Sequence, residues 1–350
     1  MAYTDFRANV SARLHTLLSA TPSFITDNRD QSLFDEFIHS AQLLSTHGKR
    51  TRALCVAGGF EAISRTDDDL PLAAGVAVEL YQLSALIHDD IIDSADLRRG
   101  LPATHRLFQS LHARHSFKGN AELFGKHAAL LLGDYLLSLA GEEFAHQNAS
   151  PQAYRTASTI FHAMTAETAF GQYMDMRAEY TELSGDNTDA VNDAFLVLLH
   201  KSARYSVELP VLLGAALAGA DEAELSQLSA FARPLGEAFQ LRDDELGIFG
   251  NPERTGKPAG SDIQEGKRTV LLALTRSMCA EHERAYIDAC LGSCLSEQDV
   301  RKIKAIMTSS GAFYAHEQLI KQREDQAMSA LPTEAKILHT LATSLVGRRW

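Results

Sequence analysis

Apolar residues recur at intervals of three and four along most of the chain. In the segment 72–93, for example, Val76, Leu80 and Leu83 fall on one side of a helix with 3.6 residues per turn. Alternating runs of Val, Ile and Thr, which would indicate strands, are missing from the sequence. The pattern therefore predicts an all-α fold with long helices around a central space and shorter carboxy-terminal ones. Further long helices are predicted at 120–147, 154–179, 189–206 and 225–246.

Three segments interrupt the helical pattern and are predicted to be loops: 94–104, 183–188 and 248–264. The first and the third directly follow clusters of acidic residues. No interdomain linker, low-complexity tract or strict internal repeat is evident. We therefore expect one large helical domain that extends over residues 1–350.

Composition excludes several classes of function. The 350 residues carry a formal charge of −12, which argues against general affinity for nucleic acid, because binding to phosphates requires clustered basic charge. The longest near-continuous apolar stretch, 211–220, is about half the length of a membrane-spanning helix. The four cysteines form no Cys-x-x-Cys pair and are expected to be reduced thiols. We expect a cytoplasmic protein with no transmembrane segment and no nucleic-acid partner.

The first acidic cluster ends the helix predicted at 72–93. Helical geometry places Asp89 and Asp93 one turn apart, with Asp90 about 100° from Asp89. Three carboxylates on one face repel one another unless a cation neutralises them, and hard oxygen ligands suit Mg²⁺ that also binds a phosphate. A solvated helix end is the alternative. Apolar neighbours such as Ile87 and Ile91 favour the half-buried, metal-binding interpretation.

A second acidic cluster contains Asp243 and Asp244, with Gln240 one turn upstream on the same side. Glu245 points about 200° away from Asp243 and is not expected to act with it. Alone, this cluster is equally consistent with a charged surface. Opposite the first cluster across a helical bundle, it would help to hold divalent ions around a polyphosphate.

Basic residues accompany both clusters, and Arg and Lys are the usual ligands of phosphate groups in proteins. Each of them alone is more simply interpreted as a solvated surface charge, whereas together they favour a polyphosphate site. They are Lys49, Arg50, Arg52, Arg98, Arg99, Lys201, Lys257, Lys267 and Arg268.

With these motifs in order, the sequence resembles the trans-isoprenyl diphosphate synthases, also called polyprenyl synthetases. The resemblance covers nearly the whole chain, and an ordered series of this kind is highly specific. It consists of Gly48-Lys49-Arg50, Asp89-Asp90-Ile91-Ile92-Asp93, Arg98-Arg99-Gly100, Gly171-Gln172-Tyr173-Met174-Asp175, Lys201-Ser202, Phe239-Gln240 with Asp243-Asp244, Gly256-Lys257, Asp262 and Gly266-Lys267. It implies the all-α type I isoprenoid synthase fold and a homodimer.

The resemblance also implies a metal-dependent reaction. Three Mg²⁺ ions are expected when substrate is bound, with Mn²⁺ as an alternative ion. Asp89 and Asp93 correspond to ligands of two of these ions, and Asp243 corresponds to the ligand of the third. Residues that would support these ligands directly or through bound water are Asp90, Asp175, Gln240 and Asp244.

The implied activity is that of a prenyltransferase that condenses isopentenyl diphosphate with allylic diphosphates. The allylic C–O bond ionises, the double bond of isopentenyl diphosphate attacks the carbocation, and a proton is lost to the released diphosphate. The allylic diphosphate would be held by Arg98, Lys201 and Lys257. Isopentenyl diphosphate would be held by Lys49, Arg52, Gln82 and Arg99, with Arg348 or Arg349 as late contacts. Ser202, Gln240 and Lys267 complete the expected substrate-binding set.

Product length is expected to depend on the helix before Asp89. Ser84 and Ala85 are small, and in the family an aromatic residue at either position tends to stop growth at fifteen carbons. Tyr81 lies eight positions before Asp89, or about 12 Å along the helix axis. Its ring would close a tunnel of three to four isoprene units, which predicts geranylgeranyl diphosphate, with farnesyl diphosphate or longer products left open. The alternative floor is a residue on a facing helix within 130–137.

The sequence departs from the family pattern at Gly247, where the second motif usually has a third aspartate. Activity is expected to survive, because the third metal mainly needs Asp243. One alternative is a catalytically silent regulatory subunit of a hetero-oligomeric synthase, suggested by Cys290 and Cys294 one helical turn apart, although such a subunit has no need for an intact first motif. A terpene cyclase is a second alternative. The predicted site for isopentenyl diphosphate argues against it, because a cyclase needs no such site.

Overall fold

The computed structural model describes residues 2–66, 69–183, 189–250 and 259–346. Most of them are helical, as the apolar spacing predicted. The helices of the first part are α1 (Ala2–Ser19), α2 (Asn28–Ser45), α3 (Thr51–Ser64), α4 (Leu72–Ile92), α5 (Thr104–Arg114), α6 (Ala121–Ala145), α7 (Pro151–Tyr180) and α8 (Ala190–Leu198). They continue with α9 (Leu209–Leu217), α10 (Glu222–Phe249), α11 (Ser261–Gln264), α12 (Val270–Met278), α13 (Glu281–Cys290), α14 (Glu297–Ser309), α15 (Ala312–Ala330) and α16 (Lys336–Leu345).

Local sequence signals define where the long helices begin. Asn120 caps α6 by accepting from the backbone N–H of Leu123, and Ser150 caps α7 in the same way. Pro151 follows Ser150 at the first position of α7, where its missing N–H costs nothing. A capping box begins α10, since the side chains of Asp221 and Glu224 each accept from the other residue's backbone.

A π-helical segment, Leu199–Glu208, connects α8 to α9. Gly171 of α7 faces this segment at very close range, because a Cβ atom at position 171 would lie 2.3 Å from the backbone nitrogen of Lys201. Such segments are often found at functional sites. The close approach brings the segment that carries Lys201 directly against α7.

The bundle buries one large apolar core and two smaller ones. The large core joins α1, α3, α4, α6, α7 and α9, and its fully buried side chains include Leu80, Leu132 and Phe161. The smaller cores lie among α10 to α14 and among α8, α10, α12 and α15. The most extensive helix–helix contacts join α4 to α6, α3 to α9 and α10 to α15. These pairs leave a space between α4, α7 and α10 that becomes the site described below.

Several local predictions need correction. The segment 94–104 is not a plain loop, because Leu97–Arg98 and Leu101–Pro102 pair as two short antiparallel strands, β1 and β2. The predicted loop 248–264 begins too early, because α10 continues through Phe249, and its end is the short helix α11. Most of the predicted loop 183–188 lies outside the described residues.

The interpretation of the cysteines is partly wrong. Cys55, Cys279, Cys290 and Cys294 are free thiols, as expected. Cys290, however, is the last residue of α13, and Cys294 lies in the exposed segment that follows. The two cysteines therefore do not share a helix face.

Candidate active site

A cavity of about 1830 Å³ occupies the space between α4, α7, the π-helical segment and α10. Its wall contains most of the predicted site residues. These are Lys49, Arg52, Tyr81, Gln82, Ser84, Ala85, Asp89, Arg98, Arg99, Asp175, Lys201, Ser202, Gln240, Asp243, Asp244 and Lys267. The fold thus brings together residues that are up to 218 positions apart in the sequence.

The first acidic cluster divides between the cavity and the protein interior. Asp89 lines the cavity, whereas Asp90 is 1% exposed and lies beneath it. Arg98, which belongs to β1, joins the two: its Nε donates to Oδ1 of Asp90 at 2.7 Å and its NH2 group to Oδ2 of Asp89 at 3.0 Å. Burial lowers the pKa of Arg98, but Asp90 and Asp89 outweigh burial and raise it above its ordinary value.

Asp93 caps the end of α4, and its side chain is only 2% exposed. Its Oδ2 atom lies 2.8 Å from Nζ of Lys267, a residue 174 positions later in the chain. Burial and the charge of Asp89 raise the pKa of Asp93, while Lys267 opposes that rise. In this structure, a lysine predicted to bind substrate neutralises an aspartate predicted to bind metal.

Lys201 occupies the centre of the site. Its Nζ atom contacts the carboxylate of Asp175 on α7 and lies 3.4 Å from Oδ1 of Asp89 on α4. Burial alone would lower the pKa of Lys201, but these two carboxylates raise it above its ordinary value. The ammonium group is therefore charged at neutral pH and joins three elements of the bundle.

The second acidic cluster lies on α10. Asp243, Asp244 and Gln240 line the cavity, and Nε2 of Gln240 donates to Oδ1 of Asp244 at 2.9 Å. Burial and the charge of Asp262 raise the pKa of Asp244 well above its ordinary value. Glu245 faces away from this cluster, as its position on the helix predicted, and pairs with Arg242 in the interior at 2.8 Å.

Among the described residues, no three Asp, Glu, His or Cys side chains converge on one point as they would in a metal site built by the protein alone. The donors that do line the cavity are carboxylate oxygens, which are the ligands that Mg²⁺ prefers. An Mg²⁺ ion commonly takes one or two carboxylates and completes its shell with water and substrate phosphates. This donor set therefore fits metals that bind together with a diphosphate.

A second polar group lies near the start of α3. The NH2 group of Arg52 donates to Oγ of Ser206 at 2.8 Å, and its Cζ atom lies 4.2 Å from the centre of the Tyr205 ring. The Tyr205 hydroxyl donates in turn to Oε1 of Gln82. Arg99 donates to the backbone oxygen of His47 at 2.6 Å. These contacts hold the guanidinium and amide groups at one end of the cavity.

Small and apolar side chains line the part of the cavity along α4, which we call the apolar arm. Ser84 and Ala85 line it, as do Leu137 of α6 and Ala166 of α7. Tyr81 lies one turn before Ser84 and is 6% exposed. Its hydroxyl donates to the backbone oxygen of Thr165 at 3.1 Å, so that its ring bridges α4 and α7. Its ring also meets that of Tyr205 edge to face, with centres 5.4 Å apart.

Some residues of the site were not predicted from the sequence. Tyr205 and Ser206 hold Arg52 in place, and their position next to the predicted Lys201-Ser202 pair was the only signal for them. Asp262 was part of the family pattern, but no role was predicted for it. Lys257, Arg348 and Arg349 lie outside the described residues.

Comparison with known proteins accounts for this combination of two acidic clusters, the cations paired with them and an apolar cavity wall. The profile of the polyprenyl synthetase family matches residues 36–309. The chain belongs to the polyprenyl synthetase family. It is an enzyme, a prenyltransferase that condenses isopentenyl diphosphate with allylic diphosphates.

Similar proteins include three well-matched relatives of this prenyltransferase. The crystal structure of geranylgeranyl pyrophosphate synthase from Corynebacterium glutamicum, in complex with isoprenyl diphosphate and magnesium, superposes with a TM-score of 0.88 and 32% identity over 99% of both chains. The geranylgeranyl diphosphate synthase of Saccharolobus solfataricus is 29% identical over 89% of each chain. The geranylfarnesyl diphosphate synthase of Aeropyrum pernix is 32% identical over 78% of this chain and 79% of its own. The all-α isoprenoid synthase fold is thereby confirmed.

The relatives of this prenyltransferase differ in the product lengths that their names state, so the family alone does not define the product.

Within the described residues, no helix combines the length and the hydropathy needed to span a bilayer.

Proposed function

We propose that this prenyltransferase makes geranylgeranyl diphosphate and that it requires divalent metal. The observation that carries the proposal is a cavity whose wall has acidic and basic side chains on one part, here called the mouth, and the apolar arm with Tyr81 on another. The mouth suits a diphosphate, and the arm suits a hydrocarbon chain. Two of the relatives described above, including the one in complex with magnesium, are named for the same product.

Mg²⁺ is the proposed ion, with Mn²⁺ as an alternative, and three ions are expected with substrate. Asp89, Asp93 and Asp243 would hold them, while Asp175, Gln240 and Asp244 would support those ligands. The bound ions supply positive charge that stabilises the diphosphate leaving group. Asp93 becomes available to an ion only when Lys267 moves away from its carboxylate.

The allylic diphosphate is proposed to displace the present ion pairs. Arg98, Lys201 and Lys267 are all held by carboxylates at the mouth of the cavity. When ions neutralise those carboxylates, the three side chains are free to bind phosphate oxygens at little cost in reorganisation. They then hold the leaving diphosphate while the allylic C–O bond ionises.

Isopentenyl diphosphate is proposed to bind at the start of α3. Arg52, Gln82 and Arg99 line that end of the cavity, together with Lys49. Binding there would orient the double bond toward the allylic carbon, and the proton lost after attack would pass to the released diphosphate. Ser202, beside Lys201, completes this part of the substrate-binding set.

The apolar arm is proposed to exclude water and to measure the product. Water would trap the carbocation as an alcohol, and side chains such as Leu86, Ala166 and Leu198 give it few sites to bind. Ser84 and Ala85 leave room for a chain beyond fifteen carbons. The Tyr81 ring is held by α7 and is proposed to stop growth at twenty.

A homodimer is part of the proposal. Large apolar side chains remain exposed on α6 and α7, among them Leu131 at 60% and Phe170 at 56%. Apolar groups of this size on an outer face favour association with another protein surface. Light scattering of the purified protein after size exclusion would give about twice the 38.3 kDa chain mass for a dimer.

One assay tests the proposed activity. The protein is incubated with Mg²⁺, radiolabelled isopentenyl diphosphate and, in turn, dimethylallyl, geranyl or farnesyl diphosphate. We expect label in geranylgeranyl diphosphate with each starter, and no labelled product after excess EDTA. Full turnover in EDTA would contradict the metal requirement, and the absence of elongation with every starter would contradict the function.

A further inference from the structure

The end of the cavity near the start of α3, here called the α3 end, carries a dense group of guanidinium charges. Arg50 and Arg99 both donate from NH1 to the backbone oxygen of His47, at 3.3 Å and 2.6 Å. Both arginines have left-handed backbone conformations, with φ values of 57° and 55°, which residues other than glycine rarely adopt. Arg52 lies in the first turn of α3 and lines the same wall. The fold therefore holds two like charges on one carbonyl oxygen, with a third close by.

Glu79 of α4 is the carboxylate that faces these charges. It lines the cavity and is 6% exposed. Burial lowers the pKa of Arg99 and the neighbouring arginines add to that shift, whereas Glu79 opposes it. Among the described residues of the cavity wall, the other acids are Asp89, Asp175, Asp243, Asp244 and Asp262. All of these belong to the acidic clusters or to the residues beside them, so Glu79 is the carboxylate of the α3 end.

The shape of this wall depends little on the charge of Glu79. Its Oε1 atom accepts from the backbone N–H of Ala53 at 3.2 Å, and a neutral amide oxygen can accept the same bond. Its Oε2 atom lies 3.7 Å from NH1 of Arg50. Other acceptors also hold that guanidinium group: the backbone oxygens of Ser45 and His47 and the hydroxyl of Ser11. Removing only the charge of Glu79 is therefore expected to leave the arginines in place.

We propose that Glu79 is a counter-charge that limits the affinity of the α3 end for anions and favours isopentenyl diphosphate over inorganic diphosphate. The inference rests on the proposed function, because it takes the α3 end as the site of isopentenyl diphosphate. Each condensation releases inorganic diphosphate, which competes for any cationic wall of the cavity. The Glu79 carboxylate repels both anions. It repels inorganic diphosphate more strongly, because that ion can carry four negative charges and the ester only three.

The test measures the binding of inorganic diphosphate and of isopentenyl diphosphate to the full-length protein by calorimetry in EDTA, where no metal draws the anions to the acidic clusters. Glu79→Gln is compared with wild type. Glu61→Gln is the matched control, because Glu61 is also 6% exposed and accepts a backbone N–H, from Ile337 at 2.6 Å, but lies outside the cavity wall. Arg52→Ala in each background locates the binding, since it should weaken anions bound at the α3 end.

We expect Glu79→Gln to bind inorganic diphosphate about tenfold more tightly than wild type, because one repulsive charge is removed near the anion. The gain for isopentenyl diphosphate should be smaller, and its KM in the presence of Mg²⁺ should fall. Both gains should shrink to less than about threefold at about 0.5 M NaCl, where interactions between charges are screened. Glu61→Gln should bind both anions as wild type does. A merely structural role of Glu79 would instead weaken both anions, with little dependence on salt.

Unchanged or weaker binding of inorganic diphosphate by Glu79→Gln would overturn the inference, as would a gain that salt does not reduce. A Glu79→Gln protein that fails to fold, or that melts well below Glu61→Gln, would also overturn it, because Glu79 would then have a structural role. If Arg52→Ala had no effect on binding while the wild type still transferred prenyl groups, the inference would fail and the activity would stand. A wild type that neither binds isopentenyl diphosphate nor transfers prenyl groups would refute the proposed function itself.

Discussion

The Nζ atom of Lys267 lies 2.8 Å from Oδ2 of Asp93, and this pair ties the end of α4 to the segment after α11. Both side chains are largely buried, with 14% and 2% exposure. Removing one partner of a buried pair leaves the other charge without compensation, which typically costs about 3–5 kcal/mol. Breaking the pair is therefore expected to destabilise the ligand-free enzyme, and the pair would have to open before Asp93 could bind the proposed ion.

Replacing Lys267 tests this pair. We expect Lys267→Ala to reduce the free energy of unfolding by about 3–5 kcal/mol, measured by urea denaturation without ligand. Lys321→Ala is the matched control, since its pair with Asp325 is exposed and is worth less than about 1 kcal/mol. Adding Asp93→Asn to Lys267→Ala should recover part of the loss. Equal losses in the free energy of unfolding for the two lysine substitutions would show that the buried pair matters no more to stability than the exposed pair.

Loss of the metal-binding acids should reduce turnover far more than stability. We expect Asp89→Asn and Asp243→Asn each to lower kcat by about 10²-fold or more, because the leaving diphosphate loses its counter-charge. Steady-state kinetics at saturating Mg²⁺ measures the effect, with Asp325→Asn as the exposed control. Wild-type kcat in either variant would remove that residue from the proposed metal site.

The two diphosphate sites should separate in kinetics. Arg52→Ala should chiefly raise KM for isopentenyl diphosphate, because Arg52 lies at the α3 end of the cavity beside Ser206. Lys201→Ala should chiefly impair the allylic substrate and lower kcat, because Lys201 lies between Asp89 and Asp175. If both variants changed the same kinetic parameter equally, the assignment of Arg52 to isopentenyl diphosphate and of Lys201 to the allylic diphosphate would be contradicted.

Acid should destabilise the fold through His105 of α5, which lies away from the cavity and is 1% exposed. Burial lowers the pKa of His105 to about 4, whereas an unfolded histidine titrates near 6.5. The folded state therefore binds fewer protons than the unfolded state, and stability falls as pH drops from about 6.5 to about 4. His105→Asn should remove part of this acid sensitivity. His15→Asn, which changes an exposed histidine, should retain all of it. Thermal melts between pH 7.5 and pH 4.5 would show it.

Product length should respond to the lining of the apolar arm. Ser84→Phe should shorten the product to fifteen carbons by blocking the arm above Tyr81, and Tyr81→Ala should lengthen it by removing the bridge to Thr165. Chromatography of the dephosphorylated products distinguishes these lengths. An unchanged product from Tyr81→Ala would move the floor to another helix, with Leu130 and Leu137 of α6 as the next residues to vary.

The sequence predicted much of this architecture because its signals are local. Apolar spacing located α4 to within a residue or two, and helical geometry correctly turned Glu245 away from Asp243. The same geometry placed the first three acids together on one face of a half-buried helix, whereas tertiary packing separates them, since Asp90 is buried beneath Arg98 and Asp93 is covered by Lys267. Those contacts depend on segments distant in sequence, which periodicity cannot detect.

The irregular features also lay beyond the sequence signals. The π-helical segment around Lys201 has ordinary helical composition. Its close approach to α7 is explained only by the structure, in which Gly171 faces the backbone of Lys201. Gly247 appeared as a missing aspartate, and only the structure shows that the Asp262 carboxylate lies directly against it. In both cases a glycine permits a contact between segments that are not adjacent in the chain.

The product that the wild-type enzyme forms from farnesyl diphosphate, excess isopentenyl diphosphate and Mg²⁺ most directly tests whether Tyr81 ends the cavity. We expect one addition, with geranylgeranyl diphosphate as the main product at all reaction times. Continued growth beyond twenty carbons, or no conversion of farnesyl diphosphate in an enzyme that elongates shorter starters, would contradict the proposal that Tyr81 ends the cavity.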